Sequence, residues 1–371
     1  MLSLALSGAL TLGAASVQAA DGRKPAAGEP LPVVASFSIL ADLVRQVGGD
    51  RVHVDTLVTI GSDTHVFQPG PTQVRQLAAA RLVVVNGLGF EGWMPRLVKS
   101  SGYRGPLVEA ARGVRTLQAD EHHHHDDGRD HGDAGDHANG RDGAHGHGHG
   151  GHDHDVQSEL PAHHDDHAHD ADREHGDGPS APEAAKADGH GHDHGGPDPH
   201  AWQDVANVRH YVANIRQALC EVAPADCEGF RQRAAAYDKA LQELDKQIHQ
   251  AIDTVPTEQR RVMVAHAAFG YYARAYGVEF LSPMGVSTEA EPSAAIVARL
   301  VRQAREQKVR AFFLEYGSDP RLMKRMAAEL DENITLGELY SDTLSASNGK
   351  APDYLSMMRL NTQSLVDALK P

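Results

Sequence analysis

Cysteine is almost absent: the 371 residues include only Cys220 and Cys227. The six residues between them do not match the short CxxC-type spacing of a thiolate zinc site. In an oxidising compartment two close cysteines usually pair. A disulfide closing a small loop at a helix–helix junction is therefore expected, with a thiolate metal pair as the alternative. Basic charge is not in surplus either. The formal net charge is −16, and no basic patch stands out, which argues against nucleic acid as a partner. An HExxH run is also missing, so the usual zinc-hydrolase signature is not there.

Long apolar runs are missing beyond the first twenty residues, so nothing later approaches the ~20 apolar residues of a membrane span. The opening stretch, MLSLALSGALTLGAASVQAA, is rich in small and apolar residues and ends in Val17-Gln18-Ala19, like a signal-peptidase site. A signal peptide over 1–19 and a periplasmic destination are expected. It lacks a positive n-region, which points to a true start codon further upstream. No cysteine lies near the cleavage site, so no lipid anchor is expected.

What is present falls into three blocks. In the first, PVVASF (32–37), HVDTLV (53–58), LVVVNG (82–87) and PLVEA (106–110) read as strands, with helices over 38–47 and 71–80. The apolar run at 82–87 is typical of a buried parallel strand. Strand and helix alternate, which predicts βαβ units. The second block, 120–197, holds 20 acidic residues, 4 basic residues and 19 of the 25 histidines. It accounts for the whole charge imbalance, since the rest of the chain carries 31 of each sign. With almost no large apolar side chains it cannot offset its chain entropy, and disorder is expected.

The third block begins with a helix over 201–219 and a longer one in which Phe230, Ala234, Tyr237, Leu241, Leu244, Ile248 and Ile252 form an apolar stripe. A second α/β set follows, with strands over 261–266, 278–283, 309–316 and 334–339, and a last helix over 354–369. The expected fold is α/β: two pseudo-symmetric lobes with parallel sheets, 31–222 and 259–371, joined by a long helix over 228–255, with a ligand site in the cleft between them.

Six histidines lie outside the second block. His65 and His266 follow strands, where parallel sheets place ligand-binding residues. His200 precedes a helix in Asp198-Pro199-His200. His53, His210 and His249 sit within regular elements, where a surface or hydrogen-bonded role is the simpler reading. Three imidazoles and one further oxygen suit Zn²⁺. Asp342, after the strand at 334–339, is the expected fourth ligand, with Glu315 or water as competitors. No glutamate is expected beside a ligand as a general base.

Four motifs then carry a family resemblance: Gly61-Ser62-Asp63-Thr64-His65-Val66-Phe67-Gln68-Pro69, Asp198-Pro199-His200-Ala201-Trp202, Ala265-His266-Ala267-Ala268-Phe269-Gly270-Tyr271-Tyr272-Ala273, and Ser341-Asp342 ahead of Tyr354-Leu355-Ser356. The chain resembles the cluster A-I solute-binding proteins of zinc and manganese ABC importers, over about 31–117 and 198–371. The resemblance implies metal binding between the lobes by His65, His200, His266 and Asp342. It also implies a periplasmic monomer that is no enzyme, with an inner-membrane permease and a periplasmic metallochaperone as partners. Manganese-type relatives usually have Glu where this chain has His266, which shifts the expectation to Zn²⁺. Two departures stand out. Ala267 replaces an aspartate that could support His266, and Thr64 replaces a glutamate that is a ligand candidate in some relatives. The His-rich block is expected to capture zinc for the cleft. A manganese-binding protein and a periplasmic zinc store without importer are the alternatives.

Overall fold

The computed structural model describes residues 29–119, 196–309, 311–330 and 334–370. The expected signal peptide and all but the last two residues of the His-rich block lie outside the described residues.

Two four-stranded parallel sheets of the same order form the frame. The first contains β1 (Leu31–Ala35), β2 (Val52–Thr56), β3 (Leu82–Val85) and β4 (Leu107–Glu109), in the order β2-β1-β3-β4. The second contains β5 (Arg261–Met263), β6 (Glu279–Leu281), β7 (Ala311–Glu315) and β8 (Thr335–Leu339), in the order β6-β5-β7-β8. In each sheet the chain steps to one side of its first strand and then returns to the other. The crevice at such a reversal, outside the carboxyl ends of the strands, is where α/β sheets bind ligands.

The buried runs explain the strands. Leu82–Val85 is buried at every position, as a central strand covered on both faces must be. Helices α1 (Ser38–Gly48), α2 (Pro71–Ala79) and α3 (Met94–Ser101) belong to the first sheet. α3 has no counterpart in the sequence reading. It has eight residues and buries only Met94 and Leu97, too few to give a periodic stripe.

α4 (Val205–Val222) starts at Asp204, whose side chain accepts the Ala206 N–H at 2.8 Å. α5 (Cys227–Ile252) buries the stripe from Phe230 to Ile252 and packs against α4, α1 and α9 (Tyr354–Leu369). Burial of each large aliphatic or aromatic side chain in that stripe contributes about 1.5–3 kcal/mol. Cys220, in α4, and Cys227, the first residue of α5, are joined by a disulfide. Around the second sheet lie α6 (Gly270–Tyr276), α7 (Ala294–Glu306) and α8 (Arg321–Ala328). Gly277 ends α6 at a φ of 71°, a left-handed conformation that favours glycine.

β5 is shorter than the sequence reading predicts, ending at Met263 rather than His266. Beyond it the Glu315 carboxylate takes the Ala265 and His266 N–H groups, at 2.9 and 3.0 Å. An acidic side chain thus occupies donors that a continued ladder would use.

Candidate metal centre

Four side chains meet between the sheets. His65 lies in the loop after β2, His200 opens the turn before α4, His266 follows β5, and Asp342 follows β8. One ligand atom from each lies within 4.8 Å of all the others, and all four residues are buried. Among the described residues no other group of three or more His, Cys, Asp or Glu side chains converges in this way.

Their pairwise distances define a common centre. Asp342 Oδ2 lies 3.5 Å from His65 Nε2 and 3.3 Å from His266 Nε2, and Asp342 Oδ1 lies 3.7 Å from His200 Nε2. His65 Nε2 and His200 Nε2 are 3.4 Å apart. Buried polar atoms are normally satisfied, yet both ring nitrogens of His266, Glu315 Oε2 and Asp342 Oδ1 make no hydrogen bond within the protein. Three imidazole nitrogens and a carboxylate facing one point are a fitting donor set for a divalent transition metal.

The charges bear this out. Burial would depress the His266 pKa, but the Glu315 and Asp342 carboxylates outweigh it and hold it well above the usual 6.5. Burial would likewise raise Asp342, but His266, His65 and His200 hold it well below the usual 3.8. Without metal, cationic and anionic forms of the site's own groups stabilise each other.

The supports differ from ligand to ligand. His200 Nδ1 lies 2.8 Å from Asp198 Oδ1, and His266 Nδ1 lies 2.6 Å from Glu315 Oε2. The sequence reading set Glu315 among the competitors for fourth ligand; in the structure Glu315 borders His266, on the ring nitrogen opposite the one facing Asp342. For His65 the loop itself is held. Asp63 Oδ1 accepts the His65 backbone N–H at 2.9 Å, while Asp63 Oδ2 accepts Thr288 Oγ1 at 2.6 Å, from the loop beyond β6. Trp93 Nε1 donates to the Thr64 carbonyl at 3.0 Å. Asp342 is fixed through its neighbour: Trp202 Nε1 and Gln203 Nε2 both donate to the Ser341 carbonyl at 2.8 Å.

An aromatic wall closes the first-lobe side. Phe90 sets its edge against His65 at 4.9 Å between ring centroids and against Trp202 at 4.9 Å. In the turn that presents it, Gly87 and Gly89 take positive φ freely, while Leu88 is a strained non-glycine residue at a φ of 56°. Glu91 holds it by accepting Ser36 Oγ at 2.6 Å and the Asn86 N–H at 2.7 Å. Burial pushes the Glu91 carboxyl up, against these hydrogen bonds.

Phe90, Glu91 and Thr288 were not singled out from sequence. Asp63 stands inside the Gly61–Pro69 motif, and Asp198, Trp202 and Gln203 inside the Asp-Pro-His-Ala-Trp-Gln-Asp motif, but their supporting roles were not read there. His53 lies exposed on β2, 3.7 Å from Asp55, and His249 packs edge-on to Tyr276, away from the centre.

Comparison with known proteins points the same way. The family described as the periplasmic component A of the zinc-uptake complex, ZnuA, matches residues 33–368. The manganese-binding lipoprotein MntA of Halalkalibacterium halodurans is 27% identical over 360 residues, covering 97% of this chain and 95% of that protein. The manganese ABC transporter substrate-binding lipoprotein PsaA of Streptococcus pneumoniae is 24% identical over 348 residues, covering 92% and 89%. The expectation of an unanchored chain finds no support in relatives that are lipoproteins by name.

Among solved structures, the periplasmic zinc-binding protein TroA of Treponema pallidum superposes with a TM-score of 0.68 at 23% identity, covering 93% of this chain and 100% of that one. A manganese-bound periplasmic metal-binding protein of Candidatus Liberibacter asiaticus gives 0.66 at 21%, covering 92% and 100%. These two share the fold. With two like parallel sheets, a buried His₃Asp cluster between them and a family match over nearly the whole chain, this protein belongs to the ZnuA family of periplasmic metal-uptake components.

Proposed function

We propose that this chain captures one Zn²⁺ through His65, His200, His266 and Asp342 and delivers it to the permease of an ABC importer in the inner membrane. The observation that carries this reading is the convergence of the four ligand atoms within 4.8 Å in a buried site. Three nitrogen donors and one carboxylate suit Zn²⁺ better than Mn²⁺, which favours oxygen-rich sites. In this reading a lobe over 31–222 and a lobe over 259–371 each supply two ligands, and the helix over 228–255 spans them. The signal peptide directs the chain to the periplasm, and the His-rich block gathers zinc for the cleft. Binding, rather than catalysis, fits four protein ligands that close the metal's coordination.

The names of MntA and PsaA favour a second reading, manganese uptake. The two separate in one experiment. The protein is stripped with chelator, titrated with Zn²⁺ or Mn²⁺, and assayed for metal after dialysis. One tightly held Zn²⁺, lost in the His65→Ala, His200→Ala and His266→Ala variants and not replaced by Mn²⁺, is expected. Stable Mn²⁺ retention would move the function to manganese. Zinc retention untouched by all three variants would sink the cleft site and leave storage in the His-rich block.

A further inference from the structure

Glu315 is the last residue of β7, next to β5 in the second sheet. It is buried to 4% exposure, beside the buried His266 and Asp342. Its two oxygens are divided. Oε1 accepts the backbone N–H groups of both Ala265 and His266, at 2.9 and 3.0 Å. Two main-chain donors on one oxygen fix the carboxylate's position, and they leave Oε2 at 2.6 Å from His266 Nδ1. One side chain therefore binds the backbone of a single ligand by hydrogen bonds and sets its second oxygen in ion-pair contact with that ligand's ring.

This has two chemical consequences. A carboxylate at Nδ1 keeps the proton there, so Nε2 is the nitrogen that gives up its proton to a metal and turns its lone pair to the common centre. An anion at Nδ1 also makes Nε2 a stronger donor. Stronger nitrogen donation favours Zn²⁺ over Mn²⁺. His65 has no comparable ring support: its loop is held through the backbone N–H, by Asp63. His200 has the like support from Asp198, so each lobe contributes one imidazole with a carboxylate against its Nδ1.

We propose that Glu315 is a positioning residue that fixes His266 as an Nε2 donor and sets the preference of the site for zinc over manganese. The proposal rests on the four-residue metal site described above.

Full-length Glu315→Gln tests it, because Gln keeps the size and an acceptor for the backbone N–H groups but removes the charge. Zinc and manganese binding are compared by chelator competition on the tightest equivalent, beside wild type and His266→Ala. Expected are a zinc affinity lower by about 10- to 100-fold, a manganese affinity changed much less, and wild-type circular dichroism. Equal losses for both metals, or no loss for either, would overturn the proposal. Should Glu315→Gln not fold, wild type loaded with zinc and labelled on histidine decides by nuclear magnetic resonance. A strongly downfield Nδ1–H proton, missing in His266→Ala, is expected. A His266 ring bearing its proton on Nε2 would refute the proposal. If His266→Ala itself keeps the tight zinc, the metal site falls as well, and the two failures are told apart.

Discussion

Asp198 grips His200 at two points, because its Oδ1 accepts the His200 backbone N–H at 2.9 Å and also lies 2.8 Å from the ring Nδ1. The intervening Pro199 has no N–H to compete for that oxygen. The aspartate thereby orients the ring and presents Nε2 to the other ligands. Asp198→Asn should weaken zinc binding by about 10- to 100-fold while the protein stays folded. Chelator competition measures the first and thermal melting the second. Wild-type affinity in a folded variant would show that the grip is dispensable.

The pKa directions at His266 and Asp342 predict how the metal-free protein responds to pH. His266 is raised, so its contribution to stability is fully present below the unfolded value of 6.5 and is lost as pH rises through the folded value. Asp342 is lowered, so its contribution is present above 3.8 and is lost as pH falls through its folded value. Because the carboxylates raise His266, the empty site favours a proton on that ring, which zinc must displace. Calorimetry in buffers of different ionisation enthalpy should report about one proton released from this site per zinc, beyond any released by the His-rich block. Release unchanged in His266→Ala would contradict this.

Thr288 and Asp63 meet across the two sheets' loops at 2.6 Å, and the same carboxylate holds the His65 backbone. Thr288→Val removes the donor and keeps the shape. The lost hydrogen bond is worth about 1 kcal/mol, or roughly a fivefold faster zinc release. Stopped-flow transfer to a chromogenic chelator would measure it. An unaltered rate would mean that the contact does not restrain the metal.

The Cys220–Cys227 disulfide spans a sequence separation of 7, and neither cysteine is among the four clustered site residues. Replacing both cysteines with serine should destabilise the fold by about 2–3 kcal/mol. Zinc affinity should be unchanged. Denaturant unfolding in parallel with metal titration checks both; a loss of zinc binding in the folded variant would tie the α4–α5 junction to the site.

The four clustered side chains were legible in sequence because each sits in a local motif at the end of a strand or the start of a helix. The alternating strands and helices were equally plain, as with Leu82–Val85 or the stripe from Phe230 to Ile252. Glu315 was visible as a carboxylate at a strand end, but its role was not. That role depends on β7 lying beside β5, a pairing across about fifty residues (separations of 50 and 49 at its two backbone bonds). Asp63 and Thr288 are 225 residues apart, and no periodicity relates them. Local patterns record which residues face a core or end a strand; they do not record which loops the folded sheets bring together.

The chain departs toward and returns from the His-rich block through a small clasp. Gln118 and Pro197 form an antiparallel bridge, Ala119 N–H donates to Gly196 at 2.9 Å, and Asp198 N–H donates to Leu117 at 2.8 Å. Tyr271 ties this clasp to the second sheet, accepting the Leu117 N–H at 3.1 Å and donating to the Asp198 carbonyl at 2.8 Å. The position of Asp198, and with it His200, is set on the near side of the clasp. Whatever is spliced in beyond it can lengthen, shorten or change composition at a loop-closure cost that grows only logarithmically. The length and composition of the outer segment can therefore change without disturbing the placement of His200 beside His65, His266 and Asp342.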